Sequence, residues 1–207
     1  MKHYIILING KRRSGKGILS SALKDQIQKF SSNVYIFSFA ESIRKAAEDI
    51  IQKLNWEKEP KETTRPLLIA IGDVGRKVDS DFWSIKLFEQ IQEKINLAEQ
   101  NNQDSYYIID DLRITNELNF FKKNEILFNQ ENSSSELNVI SIRIQKYLDA
   151  SNFIHGTDDN ITETSFDDVV YSSFDYIIEG NVIVQKEGLA EFDQVKIQAK
   201  KIIEKFL

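Results

Sequence analysis

Tyr4-Ile5-Ile6-Leu7-Ile8-Asn9-Gly10-Lys11-Arg12-Arg13-Ser14-Gly15-Lys16-Gly17-Ile18-Leu19 decides the fold. Residues 4–8 form an apolar run of the kind that suits a strand covered on both faces. Leu19, Ala22, Leu23 and Ile27 fall at helical spacing, so a helix opens where the glycine-containing segment ends. Between them stands G-x-x-x-x-G-K, from Gly10 to Lys16. Strand, turn and helix in this order make a P-loop: backbone N–H groups curl round an anion, the helix dipole assists, and the lysine reaches the β- and γ-phosphates. Gly10, Lys11, Arg12, Arg13, Ser14, Gly15, Lys16 and Gly17 are thus the candidate nucleotide-binding residues. The position that usually supplies a hydroxyl to Mg²⁺ is Gly17, which has no side chain to offer.

Composition bounds the function. The chain has 207 residues, enough for one domain with a substantial core. Its net charge of −5 argues against binding polymeric nucleic acid, whereas a basic loop in an acidic protein suits a small, highly anionic ligand. Cysteine is absent, which excludes disulfides, a thiol nucleophile and a cysteine zinc site. His3 and His155 are the only histidines, too few for a histidine-rich metal centre. No signal-peptide layout and no apolar run of membrane-spanning length is visible, so a soluble, cytoplasmic protein is expected. The oligomeric state is not legible.

Strands and helices alternate along the chain. Strands are expected at 34–38, 106–109, 139–144 and 176–179 in addition to the first, with helices at 41–54, 64–71 and 82–98. A closing amphipathic helix carries Leu189, Phe192, Val195, Ala199, Ile202 and Phe206 on one face, as a cover for the sheet. Residues 99–104 and 129–136 read as polar surface loops. The expectation is an α/β fold: a five-stranded parallel sheet with helices on both faces.

Two further clusters carry chemistry. Asp110-Asp111-Leu112-Arg113-Ile114-Thr115-Asn116-Glu117 follows the third strand, at the sheet edge where ligands of such folds sit. Asp110 or Asp111 can hold Mg²⁺ or its water, and Arg113 can clamp a phosphate. The same residues also suit a helix start, with an aspartate as N-cap and Arg113 paired to Glu117 four residues on. Arg44, Arg65, Arg76 and Lys77 supply cations in the middle of the chain, suited to a second phosphate.

With these residues in hand, the chain resembles the phage-type deoxynucleoside monophosphate kinases. The loop 11–16 is similar to that family's K-R-S-G-K region, and Ser38-Phe39-Ala40-Glu41-Ser42-Ile43-Arg44 to its S-F-A-D-P-L-K segment. Arg65 through Trp83-Ser84-Ile85-Lys86-Leu87-Phe88, Asp111-Leu112-Arg113 with Glu117, and Asn160-Ile161-Thr162-Glu163 resemble three further blocks. It also resembles the animal-type phosphomevalonate kinases, in the loop and at Gly156-Thr157-Asp158-Asp159 followed by Glu163. That family, however, shows a second arginine where Ile114 stands.

The resemblances imply a P-loop kinase that moves the γ-phosphoryl group of ATP, with Mg²⁺, onto a small monophosphate. A deoxynucleoside monophosphate is the first expectation and phosphomevalonate the alternative. They imply catalytic roles for Lys16, Arg13, Arg113 and Asp111, and metal ligation by Asp110 and Asp111. Arg44, Arg65, Arg76, Arg113, Asp158, Asp159 and Glu163 would bind the acceptor, and a mobile lid would span about 145–163. Gly17 opens a third reading, a nucleotide-binding pseudokinase.

Overall fold

The computed structural model describes residues 1–145, 160–169, 173–179 and 190–207. The elements run β1 (Lys2–Gly10), α1 (Lys16–Ile27), β2 (Val34–Phe37), α2 (Phe39–Lys53), α3 (Lys61–Val78), α4 (Phe82–Gln100), β3 (Ser105–Leu112), α5 (Thr115–Glu131), β4 (Glu136–Ile144), α6 (Ile161–Thr164), β5 (Tyr176–Ile178) and α7 (Ala190–Phe206). All five strands are parallel, in the order β2-β3-β1-β4-β5. This is the expected α/β architecture.

Alternation along β1 divides the core. Tyr4, Ile6 and Ile8 pack with Leu19, Leu23 and Ile27 of α1 and with Val195, Ala199 and Ile202 of α7. Ile5 and Leu7 face Phe39, Trp83, Leu87, Ile91, Ile95 and Phe121, from α2, α4 and α5. Both faces of the central strand are therefore dry, which is why it reads as a continuous apolar run. Among the described residues no helix is long and apolar enough to cross a membrane.

β1 lies between β3 and β4, so the strand order reverses beside it and a crevice opens at its carboxyl end. The register there is irregular. Leu7 pairs with Ile109 and Asn9 with Leu112, so Asp110 and Asp111 together oppose Ile8. This bulge turns successive side chains of β3 away from simple alternation: Ile109 and Leu112 both join the core on the α4 side.

Two elements differ from expectation. α3 extends to Val78 rather than Ile71, through Pro66, Gly72 and Gly75. The glycines are a packing groove: a Cβ on Gly75 would stand 2.6 Å from Nε1 of Trp83, and that indole donates to the Gly72 carbonyl at 3.0 Å. Likewise α5 continues to Glu131 into the expected loop. The Asn129 side chain accepts from Leu137 N–H at 2.7 Å and donates to the Leu137 carbonyl at 2.9 Å, fastening the helix end to β4.

Candidate active site

The loop after β1 is shaped by two left-handed residues, Arg13 (φ 60°) and Gly15 (φ 90°). Gly15 suits that conformation; Arg13 adopts it at a conformational cost of the kind found in ligand-holding loops. Ser14 N–H donates to the Lys11 carbonyl at 3.1 Å. A Cβ on Gly10 would collide with the Ser14 hydroxyl and stand 3.2 Å from the Ile144 carbonyl, so any larger residue there would force the loop to shift. The Ser14 hydroxyl itself is buried with no hydrogen-bond partner.

Lys16 opens α1 and points back under this loop. Its Nζ donates to the carbonyls of Gly10 at 2.7 Å and Lys11 at 2.9 Å, and only 8% of the residue is exposed. Among the described residues no carboxylate lies within ion-pairing distance of it. Burial, and secondarily the nearby Arg113 cation, pull its ammonium down to a pKa of about 7. A desolvated cation, an orphaned hydroxyl and a glycine-shaped cradle together fit a phosphate chain.

The two aspartates part company. Asp111 accepts from the Ser38 hydroxyl at 2.7 Å and from the N–H groups of Phe39 and Ala40 at 2.9 Å each. Both its oxygens are thereby spent on the N-terminus of α2, the helix that follows the neighbouring strand β2, rather than on the helix after it. That following helix is capped by Glu117, whose carboxylate accepts from Arg113 N–H at 2.9 Å and Ile114 N–H at 3.0 Å, so neither aspartate caps it. Arg113 thus meets Glu117 through its backbone, not through its guanidinium. Burial pushes Glu117 up to about 7.

Asp110 points the other way, towards α1. It accepts from the Ser20 hydroxyl at 3.1 Å, and its Oδ2 lies 3.9 Å from where a Cβ on Gly17 would stand. Burial and the neighbouring Asp111 hold its carboxyl above the usual range. Ser20 lies one helical turn after Lys16 on the same face of α1, a placement the sequence carries but does not advertise. No group of three or more His, Cys, Asp or Glu suited to a metal occurs among the described residues. Asp110 alone, with ligand oxygens and water, fits a cation that normally keeps several waters.

Glu163 joins the site from α6. Its side chain accepts from Arg12 N–H at 2.7 Å and from Arg113 Nη1 at 2.5 Å. Lys11 Nζ donates to the Glu163 carbonyl at 2.5 Å and pairs with Asp167. Asp167 was not singled out by sequence, nor was Asn9. Asn9 donates to the Leu112 carbonyl at 2.8 Å and accepts from Arg143, tying the ends of β3, β1 and β4 together. Arg143 in turn lies over the rings of Phe166 and Phe174, 5.9 Å from each centroid.

The remaining candidates are spread over the helical layer. Arg76 pairs with Asp73 at 2.8 Å, and its charge reaches Glu117. Arg65, half-buried, precedes Arg76 by about three turns of α3, which puts the two on one face. Arg44 is exposed on α2. Asp158 and Asp159, and residues 146–159 of the expected lid, lie outside the described residues.

No curated protein matches the chain. The family model for phosphomevalonate kinase matches residues 8–126, from the end of β1 into α5, a span that contains the loop, Arg76 and the β3 terminus. The deoxynucleotide resemblance finds no such support, and the alternative does. Covering more than half of the 207 residues, that match makes the chain a member of the phosphomevalonate kinase family, phosphotransferases whose acceptor is itself a phosphate-bearing molecule.

Proposed function

We propose that this protein is an ATP-dependent phosphomevalonate kinase, working as one cytoplasmic domain. The observation that carries the reading is Lys16, a buried ammonium that donates to the loop carbonyls of Gly10 and Lys11, beside a buried Ser14 hydroxyl without a partner. An acceptor-phosphate oxygen bonds to the γ-phosphorus while the bond from that phosphorus to the β,γ-bridging oxygen breaks; ADP departs with the electron pair. The acceptor oxygen is already ionised near neutral pH, so no general base is required. Positioning and charge neutralisation do the work.

Lys16 and N–H groups of the loop hold the donor phosphates, with Lys11, Arg12 and Arg13 lining the donor–acceptor boundary. Phosphomevalonate carries a phosphate and a carboxylate, so it calls for several cations. Arg113 at the end of β3, with Arg65 and Arg76 on one face of α3, supplies them; removing one such contact costs about 1.5–3 kcal/mol. Arg44 stands at the exposed rim. A divalent metal, Mg²⁺ in this reading, would neutralise the β,γ-oxygens when bound. Asp110 is the residue we assign to hold it, with Ser20 fixing the carboxylate, while Asp111 positions α2.

A coupled ADP-release assay with phosphomevalonate and a panel of deoxynucleoside monophosphates tests the reading. ADP release dependent on phosphomevalonate supports it, and a preference for any deoxynucleotide overturns it. ATP binding with no release on any acceptor would make the chain a pseudokinase.

A further inference from the structure

Glu163 reaches into the cation-rich end of the loop, with Asp167 beside it on Lys11. Its residue is 6% exposed, and its two oxygens are divided between a loop amide, Arg12 N–H, and the Arg113 guanidinium. Its charge also acts on Lys16. Loop N–H, arginine fork and neighbouring lysine are the groups that recognise a phosphate oxygen. Here they surround a carboxylate of the same sign that belongs to the chain itself. The backbone of the same residue anchors Lys11, and Asp167 completes that anchor, so the segment 163–167 engages both outer cations of the site at once.

We propose that Glu163 is an internal stand-in for phosphate: it fills the subsite between Arg12 N–H and Arg113 in the ligand-free protein and must vacate it before a substrate phosphate enters. This rests on the kinase reading and changes the part expected of Glu163, which competes with the substrate rather than binding it. Two anions cannot share these donors at hydrogen-bond distance, so substrate affinity is diminished by the affinity of Glu163 for its own slot. The subsite takes a phosphate monoester or the terminal phosphate of a nucleoside triphosphate. Arg113, one-quarter exposed at its side chain, tolerates losing its partner because water can reach it.

Isothermal titration of ATP, ADP, inorganic tripolyphosphate and phosphomevalonate into wild type, Glu163→Gln and Glu163→Asp tests the proposal. Glu163→Gln removes the charge and keeps the shape, so it is expected to bind at least one phosphate ligand about 5- to 20-fold more tightly. A gain for ATP and tripolyphosphate but not ADP assigns the slot to the donor γ-phosphate; a gain for phosphomevalonate assigns it to the acceptor. Glu163→Asp, still charged but shorter, should fall between the other two proteins. Equal or weaker binding of every ligand by Glu163→Gln overturns the stand-in role and leaves the kinase reading intact. Failure of ATP and tripolyphosphate to bind wild type and both variants overturns the kinase reading and this one with it.

Discussion

Asp110 and Asp111 are adjacent in the chain, yet their carboxylates serve opposite faces of the sheet. Asp110 faces Gly17 and Ser20 of α1, and Asp111 holds Ser38, Phe39 and Ala40 at the start of α2. The division predicts different phenotypes. Asp111→Asn weakens the α2 terminus and should cost about 1–2 kcal/mol of stability, with little effect on metal requirement. Asp110→Asn should raise the Mg²⁺ concentration for half-maximal activity with stability nearly unchanged. Urea unfolding beside an Mg²⁺ titration checks both, and the reverse pattern would exchange the two roles.

Gly17→Asp would set a second carboxylate next to Asp110, whose Oδ2 is 3.9 Å from the new Cβ. Without metal the like charges repel, so the melting temperature should fall by about 2–4 °C for each kcal/mol of repulsion. Mg²⁺ should recover more of that loss in the variant than it adds to wild type. Thermal unfolding across an Mg²⁺ series reads this directly; a metal-insensitive variant would count against Asp110 as the metal-holding residue.

Lys16, at a pKa of about 7, is largely neutral at pH 8. A bound phosphate chain favours the ammonium and raises that value again. ATP binding at pH 8 should therefore take up close to one proton, seen as a binding enthalpy that varies with the ionisation enthalpy of the buffer. Lys16→Ala should abolish both the uptake and phosphoryl transfer. In the unligated protein the sign is fixed by linkage: between pH 7 and the unfolded value of 10.5 the unfolded chain holds the extra proton, so stability rises with pH.

Glu117 has the opposite sign. Its folded value is about 7 against 4.5 in the unfolded chain, so between these values the folded protein retains the proton. Its contribution is present below pH 4.5 and is lost as pH rises through 7, at up to roughly 1.4 kcal/mol per unit. Glu117→Gln keeps an oxygen for Arg113 and Ile114 N–H and should flatten that part of the stability profile. Urea midpoints from pH 4.5 to 7 test it, and an unchanged slope would place the titration elsewhere.

Gly75→Ala brings a Cβ within 2.6–2.9 Å of three atoms of the rigid Trp83 indole. Overpacking costs about 1–3 kcal/mol, and the better helix propensity of alanine returns at most about 1 kcal/mol. A net loss of about 1–2 kcal/mol is expected. In a Trp83→Leu background the same change should be nearly neutral, a coupling that a double-mutant cycle measures.

The loop, the five strands and the two-faced core were legible because they depend on local pattern: an apolar run, two glycines and a lysine at fixed spacing, and helical periodicity on either side. The phosphate character of the acceptor is legible too, although the sequence blocks favour a deoxynucleotide over the phosphomevalonate that the family match supports. What escaped depends on distance or on geometry invisible in one dimension. Asp110 and Asp111 look equivalent until a bulge opposite Ile8 separates them. The helix expected over 64–71 runs on through Gly72 and Gly75 because Trp83 of α4 packs against them, a contact invisible in the sequence. Asp167 carries no motif, and its partner Lys11 lies at the other end of the chain. Asn9, a polar residue at the end of an apolar strand, was the one available signal of the clasp joining β3, β1 and β4.

The indole that closes the groove on α3 is also a chromophore. Trp83 is 5% exposed, and its N–H leans on a carbonyl within one turn of Asp73 and Arg76. If the α3 arginines bind the acceptor as proposed, any displacement of α3 on binding would alter that bond and therefore the emission of the ring. The only other tryptophan, Trp56, is 40% exposed and outside this groove. Replacing Trp56 with phenylalanine would leave a single tryptophan beside the arginines proposed to hold the acceptor, and its selectively excited emission would time substrate capture without an attached label.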